Sequence, residues 1–265
     1  MRRSLHRLTS NTARFIAPLI SAKRESPTPI LLLCSSTSFQ SSSVGSSALA
    51  HALHTAGYGV AIVDMTPFYV GGGVDAAVDA LHSAIRTLGS GVPPVAISHG
   101  IGASFAQAYL ESYALSGLAM LSPLTPDPRV TLARWAPQST KDSESDLLNK
   151  VSRALFNASK SNSNAASILS SPTAATSAVA AFALSLPRVL LEPSPVPILA
   201  LRGLNDSWCD ASDLEAVAAH HKLSEREACA IGGAAAADYD IGFSGEHEKA
   251  AAVKDTLLDW IVTRF

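Results

Sequence analysis

Val95-Ala-Ile-Ser-His-Gly-Ile-Gly-Ala-Ser104 is the stretch that decides the fold. Val95 to Ile97 is a short apolar run of strand type. Ser98 to Gly102 are mostly small residues able to turn tightly, and Gly102 to Tyr113 follows at once with helical patterning. A strand that passes through a tight turn directly into a helix is half of a crossover connection, and the rest of the chain repeats that alternation.

Upstream, Pro29 to Cys34 is a short apolar strand. A Ser-rich loop (35–47) and a helix over Ala48 to Ala56 follow, then a second strand from Val60 to Val63 that closes on Asp64. The Gly71-Gly-Gly73 turn opens a helix whose apolar positions include Ala77, Val78, Leu81, Ile85 and Leu88. Downstream, Leu118 to Leu121, Val196 to Leu201 and Glu227 to Ile231 are further strands, and a helix from about Glu246 to Val262 closes the chain. Strands separated by helices predict an α/β fold, with a mostly parallel sheet covered on both faces. Between Pro123 and Pro195 the pattern breaks into helical pieces, a polar stretch (159–164) and an Ala-rich helix, which predicts a helical cap over about 124–194 inserted after a central strand.

With 265 residues, 47% apolar and only 16% charged, the chain has enough apolar surface for a full core, which excludes a disordered or fibrous protein. Cys34, Cys209 and Cys229 are too few and too scattered for a disulfide framework or a Cys-rich zinc site. Charge is distributed unevenly. Arg2, Arg3, Arg7, Arg14, Lys23 and Arg24 precede the first acidic residue, Glu25. Setting those six aside leaves 14 basic residues against 22 acidic ones, a body with no general attraction for nucleic acid.

The first segment has its own pattern. Leu5, Leu8, Thr12, Phe15 and Leu19 share one face of a helix, while Arg3, Arg7 and Arg14 fall largely off it and Ser4, Thr9 and Ser10 add hydroxyls. An amphipathic, Arg- and Ser-rich, acid-free segment predicts an organellar presequence over residues 1–25, excluded from the fold of a 26–265 domain. Mitochondrial import, to the matrix side, is favoured over a plastid address; the alternative is a solvated basic tail.

The elbow-like turn and the elements around it resemble the α/β-hydrolase family over almost all of residues 29–265. That family's turn has the pattern Gly-x-nucleophile-x-Gly, with the nucleophile exposed on a strained corner. Ser98 falls on the first glycine, His99 on x, Gly100 on the nucleophile and Gly102 on the last glycine. Leu31 to Ser35 sits where the family has a strand ending in His-Gly beside its oxyanion hole. Pro195 to Asp206 resembles the late strand that precedes the triad acid, and Gly242-Phe-Ser-Gly-Glu-His-Glu248 resembles the segment that carries the triad histidine.

The departures fall on the chemistry. Gly100 has no side chain with which to attack, Phe243 occupies the histidine position, and Cys34-Ser35 replaces His-Gly. Only Asp206 stands where the acid belongs, and an orienting acid without nucleophile and base does nothing chemical. Relocated catalysis would draw on Ser98, Ser104 or Cys34 as nucleophile with His99 or His247 as base. Ser98 is expected to point into strand packing and Ser104 to lie a turn into the helix.

Cys209, His220, His221 and Cys229 lack the close pairs that fix a tetrahedral ion, and adjacent histidines on a helix point about 100° apart. Asp238, Asp240, Glu246 and Glu248 lack EF-hand spacing, and Gly71 to Gly73 lacks the Lys-Ser/Thr of a phosphate loop. Trp208 either lines the cleft or packs beneath the cap. No metal and no cofactor is expected. Three functions remain: a non-catalytic subunit of a mitochondrial protein assembly, an esterase or thioesterase with a relocated nucleophile, or a pseudoenzyme that keeps a small apolar ligand under its cap. The expected partners are proteins, with no direct nucleic-acid contact and no membrane span.

Overall fold

A computed structural model describes residues 13–16, 28–34, 48–64, 73–89, 91–100, 102–123, 193–204, 209–231 and 251–265. Seven strands form one sheet: β1 (Ala13–Ile16), β2 (Ile30–Cys34), β3 (Val60–Asp64), β4 (Val95–His99), β5 (Gly117–Leu121), β6 (Ile198–Gly203) and β7 (Ala228–Ile231). Their spatial order is β1-β3-β2-β4-β5-β6-β7. All neighbours are parallel except β1, which runs antiparallel to β3 with Ala13 opposite Val63 and Ile16 opposite Val60. Among the described residues five helices accompany them: α1 (Ala48–Thr55), α2 (Gly73–Leu88), α3 (Gly102–Ser112), α4 (Ala211–His221) and α5 (Ala251–Arg264).

Parallel strands must be covered on both sides, which explains why they are near-continuous apolar runs: β5 is buried at every residue, and so is β6. Successive side chains still separate into two cores. Ile30, Val60, Ile62, Val95, Ile97, Ala119, Leu121, Leu199 and Leu201 pack against Leu49 and Leu53 of α1 and Val253, Leu257, Trp260 and Ile261 of α5. Leu31, Ala61, Val63, Ala96, Leu118, Met120 and Ala200 face the other way, onto α2, α3 and α4. A capping box starts α4: the Asp210 carboxylate accepts from the Asp213 N–H at 3.0 Å, and the Asp213 carboxylate accepts from the Asp210 N–H at 3.0 Å.

The α/β architecture expected from the sequence is the one observed, and β2 to β7 fall within a residue or two of the expected strands. Residues 13–16 require a correction. They do not continue the amphipathic helix expected over the first segment, and they are not outside the sheet, because they pair along its edge with β3. Ala-Arg-Phe-Ile can alternate as well as spiral, and the open N–H and C=O groups along β3 select the extended form. The cap expected over 124–194 lies almost wholly outside the described residues, as do the start of the last helix before Ala251 and the acidic group at 238–248.

Candidate functional site

The chain runs from β2 outward to β3, then crosses back over β2 to lay down β4 on its other side. Where strand order reverses in this way, the connections leave in opposite directions and open a crevice at the carboxyl ends of the strands. Here the reversal lies between β2 and β4, whose last residues are Cys34 and His99. Leu33 is opposite Ser98, so Cys34 and His99 end adjacent strands at one edge of the sheet.

Gly100 makes the corner between β4 and α3. Its φ is +55°, in the left-handed region that glycine enters without the Cβ penalty. The corner is tied at both sides: the Gly100 N–H donates to the Leu121 carbonyl at 2.9 Å, and the Gly100 carbonyl accepts from the Ala103 N–H at 3.1 Å. Gly100, expected from the sequence at the nucleophile position, thus occupies the tight turn and is buried there.

Ser98 is fully buried, with its hydroxyl donating to the Ala119 carbonyl on β5 at 3.2 Å. Ser104 is buried within α3, beyond the corner. Neither hydroxyl stands on the turn itself. Asp206, Phe243 and His247 lie outside the described residues, as does Trp208. The structure therefore gathers Cys34, Ser98, His99 and Gly100 at or near one strand edge by backbone placement, and leaves the other aligned positions undescribed.

Two residues that sequence reasoning passed over share that edge. Ser122, directly after β5, is buried with φ at +48°, a conformation uncommon outside glycine. Its N–H donates to the Leu201 carbonyl of β6 at 2.7 Å. Arg202, the one charged residue in the apolar Ile198-Leu-Ala-Leu-Arg-Gly203 strand, is buried as well. Its side chain folds back on its own strand end: Nε donates to the Gly203 carbonyl at 2.9 Å and Nη2 to the Leu204 carbonyl at 2.8 Å. Gly100, Ser122 and Arg202 thus follow one another across the ends of β4, β5 and β6. The signal for Arg202 was its isolation in an apolar run; for Ser122 it was the Ser-Pro pair that ends a strand.

Other titratable groups lie away from this edge. His221, at the end of α4, is held down to about 4 by burial first and by neighbouring His220 second, and its Nδ1 accepts from the Ser194 N–H at 3.3 Å. Burial pushes the Cys229 thiol up, and Cys209 is buried with its Sγ donating to the Asp210 carbonyl at 3.7 Å. Among the described residues no three of these side chains come together as metal ligands. Between α2 and α3, His82 stacks on Tyr113 at 4.1 Å, and the Tyr109 hydroxyl lies 3.4 Å from His82 Nδ1. Burial, followed by the Tyr113 phenol, raises Tyr109 to about 12, so it stays a neutral donor. No described helix is long and apolar enough to cross a membrane.

No protein-family model matches the chain, and no curated protein matches it. Solved structures do. A hydrolase from Oleispira antarctica superposes with a TM-score of 0.57 at 12% identity, over 97% of each chain. A siderophore hydrolase from Aspergillus fumigatus gives 0.56 at 15% identity, over 92% of this chain and 93% of that one. The esterase domain of a Rhodothermus marinus protein gives 0.53 at 15% identity, over 94% of this chain and 90% of that one. At such identities the likeness is one of fold.

Proposed function

On the α/β-hydrolase fold that this chain has, we propose that it works without catalysis, as a structural or accessory subunit of a mitochondrial protein assembly. The observation that carries this reading is the corner at Gly100, where φ is +55°. The fold's strained turn is kept and its reactive side chain is gone. A fold that retains its buried pattern while its catalytic position is emptied is valued for its shape and surface. The acid-free segment over residues 1–24 supports an organellar address. The acidic remainder supports protein contacts over direct contact with nucleic acid.

The experiment is native sizing. Mitochondria are gently solubilised, fractions are resolved by size, and the chain is followed through them. Migration with a large assembly is the expected result, and a free monomer would sink the subunit reading. The same fractions are then treated with a fluorophosphonate and with iodoacetamide. No rapid, stoichiometric labelling is expected. Labelling at Ser98, Ser104 or Cys34 would transfer the reading to a hydrolase with a relocated nucleophile.

A further inference from the structure

Residues 13–16 have two roles on the page. In the sequence they lie inside the acid-free, Arg-rich segment that runs to Arg24 and reads as a removable organellar address. In the structure they are β1, the edge strand of the sheet, antiparallel to β3 with Arg14 opposite Ile62 and Ile16 opposite Val60. The expected end of the address, residue 25, falls after β1 and before β2, which starts at Ile30. Removal there takes β1 away and leaves β3 at the edge of the sheet.

Strand β3 is costly to leave uncovered. Val60, Ala61, Ile62 and Val63 are no more than 2% exposed, with Val60 and Ile62 in one core and Ala61 and Val63 in the other. In a parallel ladder, successive residues turn their N–H and C=O groups to alternate neighbours. The Ile30 N–H donates to the Gly59 carbonyl at 2.8 Å, which sets Gly59, Ala61 and Val63 toward β2 and leaves Val60 and Ile62 turned toward β1. Without β1, their groups form an open row along an apolar strand that has no proline and no charge before Asp64. Another chain can add a strand to such an edge. β1 shows what that edge takes: a four-residue, mainly apolar segment (Ala-Arg-Phe-Ile), extended and antiparallel.

We propose that β1 is a placeholder: it covers β3 in the full-length chain, import removes it with residues 1–25, and an extended, mainly apolar segment of a partner protein then adds to β3 in the same antiparallel sense. This rests on the reading of the chain as a subunit of a mitochondrial assembly. Processing hydrolyses one peptide bond with water, giving a carboxylate and an amine, and docking itself makes no covalent bond. The precursor is thereby kept from pairing before it reaches its partner.

The first step of the test identifies the first residue of the chain recovered from mitochondria, by N-terminal labelling and mass spectrometry. A start beyond Ile16 is expected. A peptide of residues 10–19 bearing a photo-crosslinker then probes the edge. The full-length chain holds its own β1 at an effective concentration near millimolar, so it is expected to be labelled at least about tenfold less than the processed chain released from its assembly. Within the intact assembly the processed chain is expected to be protected again. Full-length Arg14→Pro loses the N–H that faces Ile62 and is expected to take the peptide as the processed chain does. That variant carries the test if the processed chain does not stay folded alone.

A mature chain that retains Ala13 to Ile16 would overturn the proposal and leave the subunit reading standing. So would equal labelling of the full-length, Arg14→Pro and processed chains. Protection of the purified processed chain by a second copy of itself would replace the partner with self-pairing and overturn the proposal as well. A free monomer in native sizing sinks the subunit reading, and the proposal with it.

Discussion

The two faces of the sheet bury different kinds of group. Beneath α1 and α5 the packing is apolar, and His54 is the only buried polar residue those helices contribute among the described ones. On the other face, Ser98 and Arg202 follow Ala96 and Ala200 along their strands. Ser104 and Gln107 of α3 and Asp213 and His221 of α4 are buried there too. Burying polar groups costs stability unless each is matched, so a fold driven by packing alone has no reason to collect them on one side. That face also carries the corner helix α3 and the strand ends where the sheet changes direction. One face is packed almost wholly by apolar side chains; the other also holds buried polar groups, some of them matched, as Asp213 is by the capping box of α4 and Ser98 by the Ala119 carbonyl.

The sharpest way to break this contrast is to cut into each face and compare the responses. Leu257 of α5 is fully buried in the apolar layer. Leu257→Ala is expected to cost about 2–5 kcal/mol, from lost transfer energy plus the cavity left behind. Chemical denaturation checks it, and the loss should not change with pH between 5 and 8. A loss below about 1 kcal/mol would mean that this layer collapses around the gap and is not the rigid side of the molecule.

The polar face should respond to acid where the apolar one does not. His221 is nearly neutral-only in the folded chain, with its pKa lowered to about 4, against an ordinary value of 6.5. Between those values the unfolded chain binds more protons than the folded one, so stability falls as pH drops from 6.5 and levels off below about 4. The total effect is on the order of 1–3 kcal/mol. Carboxylates also titrate in part of that window, so the comparison is with His221→Asn, whose side-chain oxygen can still accept from the Ser194 N–H. Tm of the variant should be less steep in pH between 6.5 and 5. Parallel curves would remove His221 from the account of this face.

How much of this was legible in the sequence follows from which contacts are local. The strands β2 to β6 are buried on both sides, so their residues are near-continuously apolar and stand out in any window. The corner at Gly100 was legible as a position, because the spacing of small residues between Ile97 and Phe105 marks a tight strand-to-helix turn; its positive φ was not. Strand β1 was hidden because its partner, Val60–Val63, lies more than forty residues on, while the helical spacing of Leu5, Leu8, Phe15 and Leu19 is a short-range pattern. Ser122 and Arg202 were overlooked for a related reason. Each carries a local signal, but their relation to one another exists only because β5 and β6 pair in register. The positions at Asp206 and Phe243 rest on alignment with the family pattern, since the described residues do not include them.

A smaller effect tests the seam at the rim of the apolar layer. Gly117 opens β5, and a Cβ there would lie 2.5 Å from the ring of Phe265 and 3.1 Å from that of Trp260. Gly117→Ala is expected to cost about 1 kcal/mol, near the low end for overpacking, because the closest atom is the far end of the Phe265 side chain, which can rotate away. Loss of that cost in Gly117→Ala combined with Phe265→Ala would locate it in the ring contact.

The smallest effect is also the one of opposite sign. Gln107 is buried on α3, its amide nitrogen donating to Met120 Sδ at 3.2 Å while Oε1 has no hydrogen-bond partner among the described residues. A thioether sulfur is a weak acceptor, so Gln107 recovers little of what burying its amide costs. Gln107→Leu fills a similar volume without that amide. It should leave stability unchanged or raise it by up to about 1 kcal/mol, whereas a typical buried substitution lowers it. A gain, measured by denaturation, would mean that this face keeps a polar group at the expense of stability, as a surface selected for something other than packing would. A loss of 1–2 kcal/mol would show the amide to be satisfied in solution, by water for instance. The contrast between the faces would then rest on the remaining buried polar groups, Arg202 and His221 foremost.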